Sequence, residues 1–273
     1  MYKKSPLETY IREKRESKPI LLMTHLVLGY PNFDDCYEMV KQMVASGVDL
    51  IELQIPFSEP MADGPVILAA NQAALDRQVT LDQCLDFARR VTQDFPIPFL
   101  FMGYGNTFYR YGMEKMAQTM ADIGLYGAIV PDLPPEESGR FPDPTHAPTP
   151  APGQDYLGAM VTHGQDPIHI FTPQTPEDRM AFLDTLSSGF IYCTARKGVT
   201  GADTQFSPEL SDYLARCRAA TRLPIAVGFG LKERADIEFL TGKADIAVMG
   251  SETLRVADRQ GVGAVGDFIN SLI

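Results

Sequence analysis

Glu52 and Asp63 are the residues of this chain best placed for acid–base chemistry. Glu52 lies inside a short apolar run, with Val48, Leu50, Ile51, Leu53 and Ile55 around it, rich enough for a strand buried on both faces. Pro56 ends the run because it has no N–H for a ladder. A Pro- and Gly-punctuated loop then carries Asp63, and a helix starts near Pro65. A carboxyl group on a buried strand must be hydrogen-bonded, paired or neutral. Glu52 is therefore either a structural acid bonded to nearby hydroxyls and backbone, or a proton donor kept neutral by burial with Asp63 as its partner acid.

A second set of residues could hold an anion. Gly-bearing turns stand at the ends of three late strand candidates: KGVTGAD over 197–203, VGFG over 227–230 and MGSE over 249–252. Glycine lets the backbone approach a ligand closely, and N–H groups converging before a helix N-terminus form an anion site. One such turn is an ordinary turn former. Three at successive strand ends point to a phosphate-ester substrate. His25, Ile67, Met102, Tyr104, Ile170, Tyr192 and Phe229 also fall near strand ends. Each alone reads as core, but as a set they could hold a flat aromatic group. His25 has no acid or metal partner evident in the sequence, so no catalytic role is assigned to it.

These residues need a scaffold that brings strand ends together. A short amphipathic helix over 6–17, with Leu7, Tyr10 and Ile11 at helical spacing, is expected on the outside of the main domain. Strand candidates follow from Ile20, Val48, Ile97, Tyr126, Pro167, Gly189, Pro224 and Ala244. Helical patterns cover about 33–47, 66–76, 81–94, 113–124, 176–187, 207–219, 231–241 and 251–272. Eight strands, each followed by helical pattern, predict an α/β fold, a (β/α)8 TIM barrel forming a single domain over 1–273. Residues 139–155 break the rhythm, with five prolines from Pro142 to Pro152. This Pro-rich insertion after strand four reads as a loop with polyproline II character, an inert surface insertion rather than a binding tract, with a helix resuming at 156–161.

Composition narrows the function. The chain has 273 residues, is 45% hydrophobic and 22% charged, and carries a net charge of -11. That is ordinary globular usage without the basic face that nucleic acid requires. Cys36, Cys84, Cys193 and Cys217 form no C-x-x-C pair and have no His at metal-ligand spacing, so reduced thiols are expected and no metal. The N-terminal stretch is polar and no segment has the length of a membrane span, which makes a cytoplasmic protein the expectation.

The stretch ELQIPFSEPMADGP over 52–65 resembles the ELGIPFSDPxADGP signature of the tryptophan synthase α subunit family. LGYP, GYGN, VPDLPPEES, GVTG, GFG and GS follow in the family's order and spacing, except around the insertion. The resemblance implies a (β/α)8 barrel that cleaves indole-3-glycerol phosphate to indole and glyceraldehyde 3-phosphate. It implies no cofactor, and as partner a β subunit in an α2β2 heterotetramer. It implies that Glu52 and Asp63 are catalytic and that Thr200 meets Asp63 on loop closure. It also implies that Gly201, Gly230, Gly250 and Ser251 bind phosphate, and that Tyr192, Tyr104, Ile67, Ile170 and Phe229 line the indole pocket.

The chain departs from the family pattern at four places near the site. Gln54 stands where the family has glycine, Glu59 replaces an Asp in the loop facing the β partner, His25 replaces an apolar pocket residue, and Ala195 replaces a Ser. Two other readings stand beside the synthase subunit: a stand-alone lyase that releases indole, and a weakly catalytic α-like subunit that mainly activates a β partner.

Overall fold

The computed structural model describes residues 4–138, 155–195, 208–228 and 230–273. The Pro-rich stretch up to 154 and residues 196–207 therefore lie outside the described residues. In chain order the elements are α1 (Pro6–Arg15), β1 (Leu21–Val27), α2 (Phe33–Ala45), β2 (Leu50–Gln54), α3 (Pro65–Asp76), α4 (Leu81–Asp94), β3 (Phe99–Met102), α5 (Gly105–Tyr111), α6 (Met113–Ile123), β4 (Gly127–Ile129) and α7 (Pro135–Ser138). There follow α8 (Tyr156–Thr162), β5 (Asp166–Ile168), β6 (Ile170–Phe171), α9 (Glu177–Leu186), β7 (Ile191–Thr194), α10 (Pro208–Ala220), β8 (Ile225–Gly228), α11 (Arg234–Leu240), β9 (Ile246–Met249), α12 (Ser251–Gln260) and α13 (Ala264–Leu272).

All strand pairings are parallel, in the order β5-β4-β3-β2-β1-β9-β8-β7-β6. The two ends of that order, β5 and β6, are consecutive in the chain and separated only by His169, so the sheet closes on itself as a barrel of eight strands. The expected single strand from Pro167 is thus two segments. His169 stands between them, its carbonyl accepting from the Tyr192 N–H at 3.0 Å, and its Nδ1 lies 3.0 Å from Ser187 Oγ.

Strand periodicity divides the core into two layers. Leu21, Met23, Leu50, Leu100, Ile129, Ile168, Phe190, Ala226, Ile246 and Val248 pack together inside the barrel. The alternate residues, such as Leu22, Ile51, Leu53, Phe101 and Val227, pack outward against the helices. Inward parity continued toward the C-terminal ends brings His25, Glu52, Gln54, Met102 and Tyr192 to the same mouth.

The N-terminal helix corrects one expectation. Leu7 and Ile11 are fully buried and belong to the inner cluster, so α1 does not lie outside the barrel but plugs its N-terminal mouth. Its polar groups are tied to the starts of the strands. Ser5 Oγ donates to Asp166 Oδ2 at 2.7 Å, Tyr10 Oη donates to the Asp49 carbonyl at 3.1 Å, and Arg12 Nη2 donates to the Arg222 carbonyl at 2.6 Å. Ser5 also caps the helix, accepting from the Glu8 N–H, with Pro6 at the first helical position.

Two further differences have local causes. The helical pattern over 251–272 is split into α12 and α13, because Gly261 takes φ +87° and ends the first helix. Helix α5, too short to show a periodic face, was not expected; it packs Phe108 into the outer layer. By contrast α4 begins as its sequence suggests, with a capping box in which Thr80 and Gln83 satisfy each other's backbone N–H groups. No helix among the described residues is long and apolar enough to cross a membrane. All four cysteines are buried and unbridged.

Candidate active site

Glu52 lies near the C-terminal end of β2 and is 4% exposed. Its strand neighbour across the parallel ladder is His25 on β1. The same parity turns both side chains inward, and His25 Nδ1 comes within 2.8 Å of Glu52 Oε1. Burial disfavours the charged ring, but the hydrogen bond and charge of Glu52, with help from Asp63 and Gln54, outweigh it, and the His25 pKa is raised. His25 thus has the acid partner that its sequence neighbourhood did not reveal.

Asp63 is carried by the loop between β2 and α3, and that loop is pinned at several points. Asn71, on α3 and 1% exposed, accepts from the Phe57 N–H at 3.0 Å and donates to the Ile67 carbonyl at 2.9 Å. Tyr104 Oη accepts from the Ala62 N–H at 3.2 Å and donates to Asp63 Oδ2 at 3.1 Å. The Tyr104 and Phe57 rings stack with centroids 4.9 Å apart. Gln54 Nε2 donates to the same Asp63 oxygen at 2.6 Å. Burial raises the Asp63 pKa, while His25, Gln54 and Tyr104 each oppose that rise by favouring the carboxylate. A carboxyl group whose pKa is raised by burial while its neighbours favour the charged form is suited to exchanging a proton.

The walls come from the neighbouring strands. Met102 on β3 is paired in register with Gln54 and Ile129. Ile170 and Tyr192 are paired across β6 and β7, and both pack against the inner cluster. The Tyr192 pKa is raised well above its ordinary value by burial and by the charges of Glu52 and Asp63, which keeps its hydroxyl neutral. Ile67 is placed differently. It packs with Val27, Ala70 and Leu254 in a small cluster apart from the inner one. Phe229, Thr200 and Gly201 lie outside the described residues.

The anion-binding candidates stand on the far side of the mouth. Gly228 and Val248 are register partners on β8 and β9, so Gly230 and Gly250 follow at adjacent strand ends. Gly230 has φ +61°, a conformation that glycine adopts without strain. Gly250 and Ser251 open α12, whose first N–H groups receive no bond from a capping side chain. A β-carbon built on Gly250 would lie 3.4 Å from His25 Cβ, which puts this helix start beside the Glu52–His25 pair. Gln54, Asn71 and the His25–Glu52 contact are the parts of the site that sequence reasoning did not assign. The signals for them were the departures from the family pattern at His25 and Gln54 and the shared parity of residues 52 and 54.

Comparison with known proteins agrees with this geometry. The family model described as Tryptophan synthase alpha chain matches residues 11–264. The tryptophan synthase alpha chain of Desulforapulum autotrophicum is 57% identical over 266 residues, spanning 97% of this chain and 99% of that one. That of Syntrophotalea carbinolica is also 57% identical over the same span. Among solved structures, Mycobacterium tuberculosis tryptophan synthase in space group F222 superposes with a TM-score of 0.86 at 29% identity, covering 99% of this chain and 97% of that chain. With a match of this extent, the chain belongs to the tryptophan synthase alpha chain family.

Proposed function

We propose that this chain is a lyase of tryptophan biosynthesis that cleaves indole-3-glycerol phosphate to indole and glyceraldehyde 3-phosphate. The observation that carries the reading is the convergence of Glu52 and Asp63 on one mouth of the barrel, each with a hydrogen-bonded partner.

The bond to be broken joins indole C3 to the glycerol chain, and the ring is a poor leaving group until C3 is protonated. Glu52 delivers that proton, giving an electron-accepting indoleninium. Positive charge develops at the ring nitrogen, where Asp63 stabilises it, or accepts the nitrogen's proton and returns it as the C–C bond breaks. As the C–C bond breaks, the adjacent glycerol hydroxyl loses its proton to the Glu52 carboxylate, which restores the acid. The ring keeps the bonding electrons, the glycerol carbon becomes the aldehyde, and the proton count closes.

Tyr104, Met102, Ile170, Tyr192, Ile67, Phe229 and His25 are the residues we assign to the indole pocket, and Gly201, Gly230, Gly250 and Ser251 those we assign to the phosphate. Thr200 is assigned to loop closure, which excludes water and strengthens the electrostatics at the reacting atoms. No cofactor enters these steps. The expected partner is a tryptophan synthase β subunit in an α2β2 assembly, the chain acting as one domain in the cytoplasm.

The stand-alone lyase and the mainly activating subunit are not favoured, since full-length similarity to alpha chains accompanies both acids. The test is indole release by the purified chain, alone and with a β subunit, alongside Glu52→Gln. Slow release alone, stimulation by β and loss in the variant are expected. Fast release without β would replace the reading with the stand-alone lyase, and no release under either condition would overturn it.

A further inference from the structure

Gln54 follows Glu52 by two positions on β2 and shares its inward face. The side chain is completely buried, and its amide holds one of the two acids. Its Nε2 reaches Asp63 Oδ2 at 2.6 Å, while its Oε1 has no hydrogen-bond partner. One other orphaned buried atom in the site is His25 Nε2, on the ring whose Nδ1 holds Glu52. The two orphans are complementary, an acceptor and a ring nitrogen able to donate. The amide already lies close enough to the ring to favour its charged form. Buried polar atoms left without partners are rare, and two that face the same reaction centre call for a functional account.

We propose that Gln54 and His25 are positioning residues that bridge the two acids, His25 holding Glu52 and Gln54 holding Asp63, so that their spacing is set within the strand layer. This rests on the lyase reading above. With Nε2 protonated, His25 and Glu52 share one proton between Nδ1 and Oε1, and that is the proton Glu52 delivers to C3. The same carboxylate recovers a proton from the glycerol hydroxyl, so the bridge itself gains and loses nothing over a turnover. Glycine at position 54, as in the family signature, has no side chain to reach Asp63. The bridge therefore depends on His25 and Gln54 together.

The test is steady-state kinetics on indole-3-glycerol phosphate with the full chain in complex with a β subunit, for Gln54→Met, His25→Phe and the double variant. Gln54→Gly serves as a second variant at a position where the family pattern already places glycine. Each single change is expected to lower kcat by about 10- to 100-fold while KM moves by less than about twofold, as misplacement of reacting groups does. The double variant is expected to fall no more than about threefold below the worse single one, because residues acting as a unit are not additive.

Gln54→Met should also move the acid limb of the kcat profile to higher pH, since it removes a donor that favours the Asp63 carboxylate. The titratable groups facing Asp63 are His25 on β1, Glu52 on β2, Tyr104 after β3 and Tyr192 on β7. A residue that only filled space would not shift that limb. Unimpaired kcat in the Gln54 variants, or single losses that multiply in the double variant, would overturn the bridge while wild-type indole release upheld the lyase. Absence of release by the wild type would overturn both.

Discussion

Gly228 and Tyr192 are pressed together across the β7–β8 ladder: a β-carbon on Gly228 would fall 2.5 Å from the Tyr192 hydroxyl and 2.8 Å from its Cε1. Contacts that short require something to move, and the far end of the tyrosine ring is the part that can. Gly228→Ala is therefore expected to push Tyr192 toward the mouth and crowd the substrate. Overpacking of this kind costs about 1–3 kcal/mol, so KM should rise by about 5- to 150-fold. Combining it with Tyr192→Leu removes the clashing hydroxyl and ring edge. Substrate kinetics on the two variants check this; an unchanged KM in Gly228→Ala would show that Tyr192 does not bound the occupied site.

Tyr104→Phe tests how the Asp63 loop is held. The hydroxyl serves the Ala62 N–H and Asp63 Oδ2 at once, so its removal leaves a donor and a carboxylate oxygen each short of a partner. Each lost bond is worth about 1 kcal/mol. The loop over 56–64 should open more often, with faster hydrogen exchange at the Ala62 amide, and kcat should fall by about tenfold. The stacked Phe57 ring remains, so overall unfolding should shift little. Fast exchange at Ala62 already in the wild type would contradict the pinning.

The barrel was legible because its evidence is periodic. Eight apolar runs alternate with helical patterns, and each run ends in Gly, Pro or a polar residue. The two acids were legible because a carboxylate in a buried run is conspicuous. What could not be read is everything that depends on register between strands or on the path of a loop. His25 and Glu52 are 27 positions apart in the chain, and only the β1–β2 ladder makes them neighbours. Gln54 could be seen as a departure, but its reach to Asp63 depends on how residues 56–62 fold back. The plug role of α1 was missed for a related reason: amphipathic spacing shows that Leu7 and Ile11 are buried, not which end of a barrel buries them.

His169, where the fifth strand breaks, predicts a pH dependence of stability. Burial, reinforced by the positive charge of Arg179 and partly opposed by Glu136, pushes its pKa down to about 4. Ser187 Oγ already donates to the Leu183 carbonyl, so it accepts from His169 Nδ1–H, which assigns the neutral tautomer. The unfolded chain takes up the proton below about pH 6.5 and the folded chain only near 4. The stabilisation is thus complete above 6.5 and is lost as pH falls toward 4, on the order of 3 kcal/mol over the whole window. Urea unfolding at pH 7 and pH 5 should show the wild type losing about 2 kcal/mol more than His169→Gln. Equal losses in both proteins would place the proton uptake elsewhere.

The plug formed by α1 separates stability from catalysis along the barrel axis. Leu7 is fully buried between the strand starts, and a β-carbon on Gly189 would come within 2.9 Å of its Cδ2, so the fit is tight. Leu7→Ala opens a cavity there at a cost of about 2–5 kcal/mol. Glu52 and Asp63 lie at the opposite mouth, and the inner layer of Met23, Leu50, Leu100 and Val248 stands between. The expected outcome is a lower denaturant midpoint with an unchanged denaturant slope, while kcat and KM measured well below the transition stay at wild-type values. A loss of kcat without loss of stability would mean that the N-terminal mouth communicates with the acids through the inner layer, and α1 would then be part of the catalytic apparatus rather than its floor.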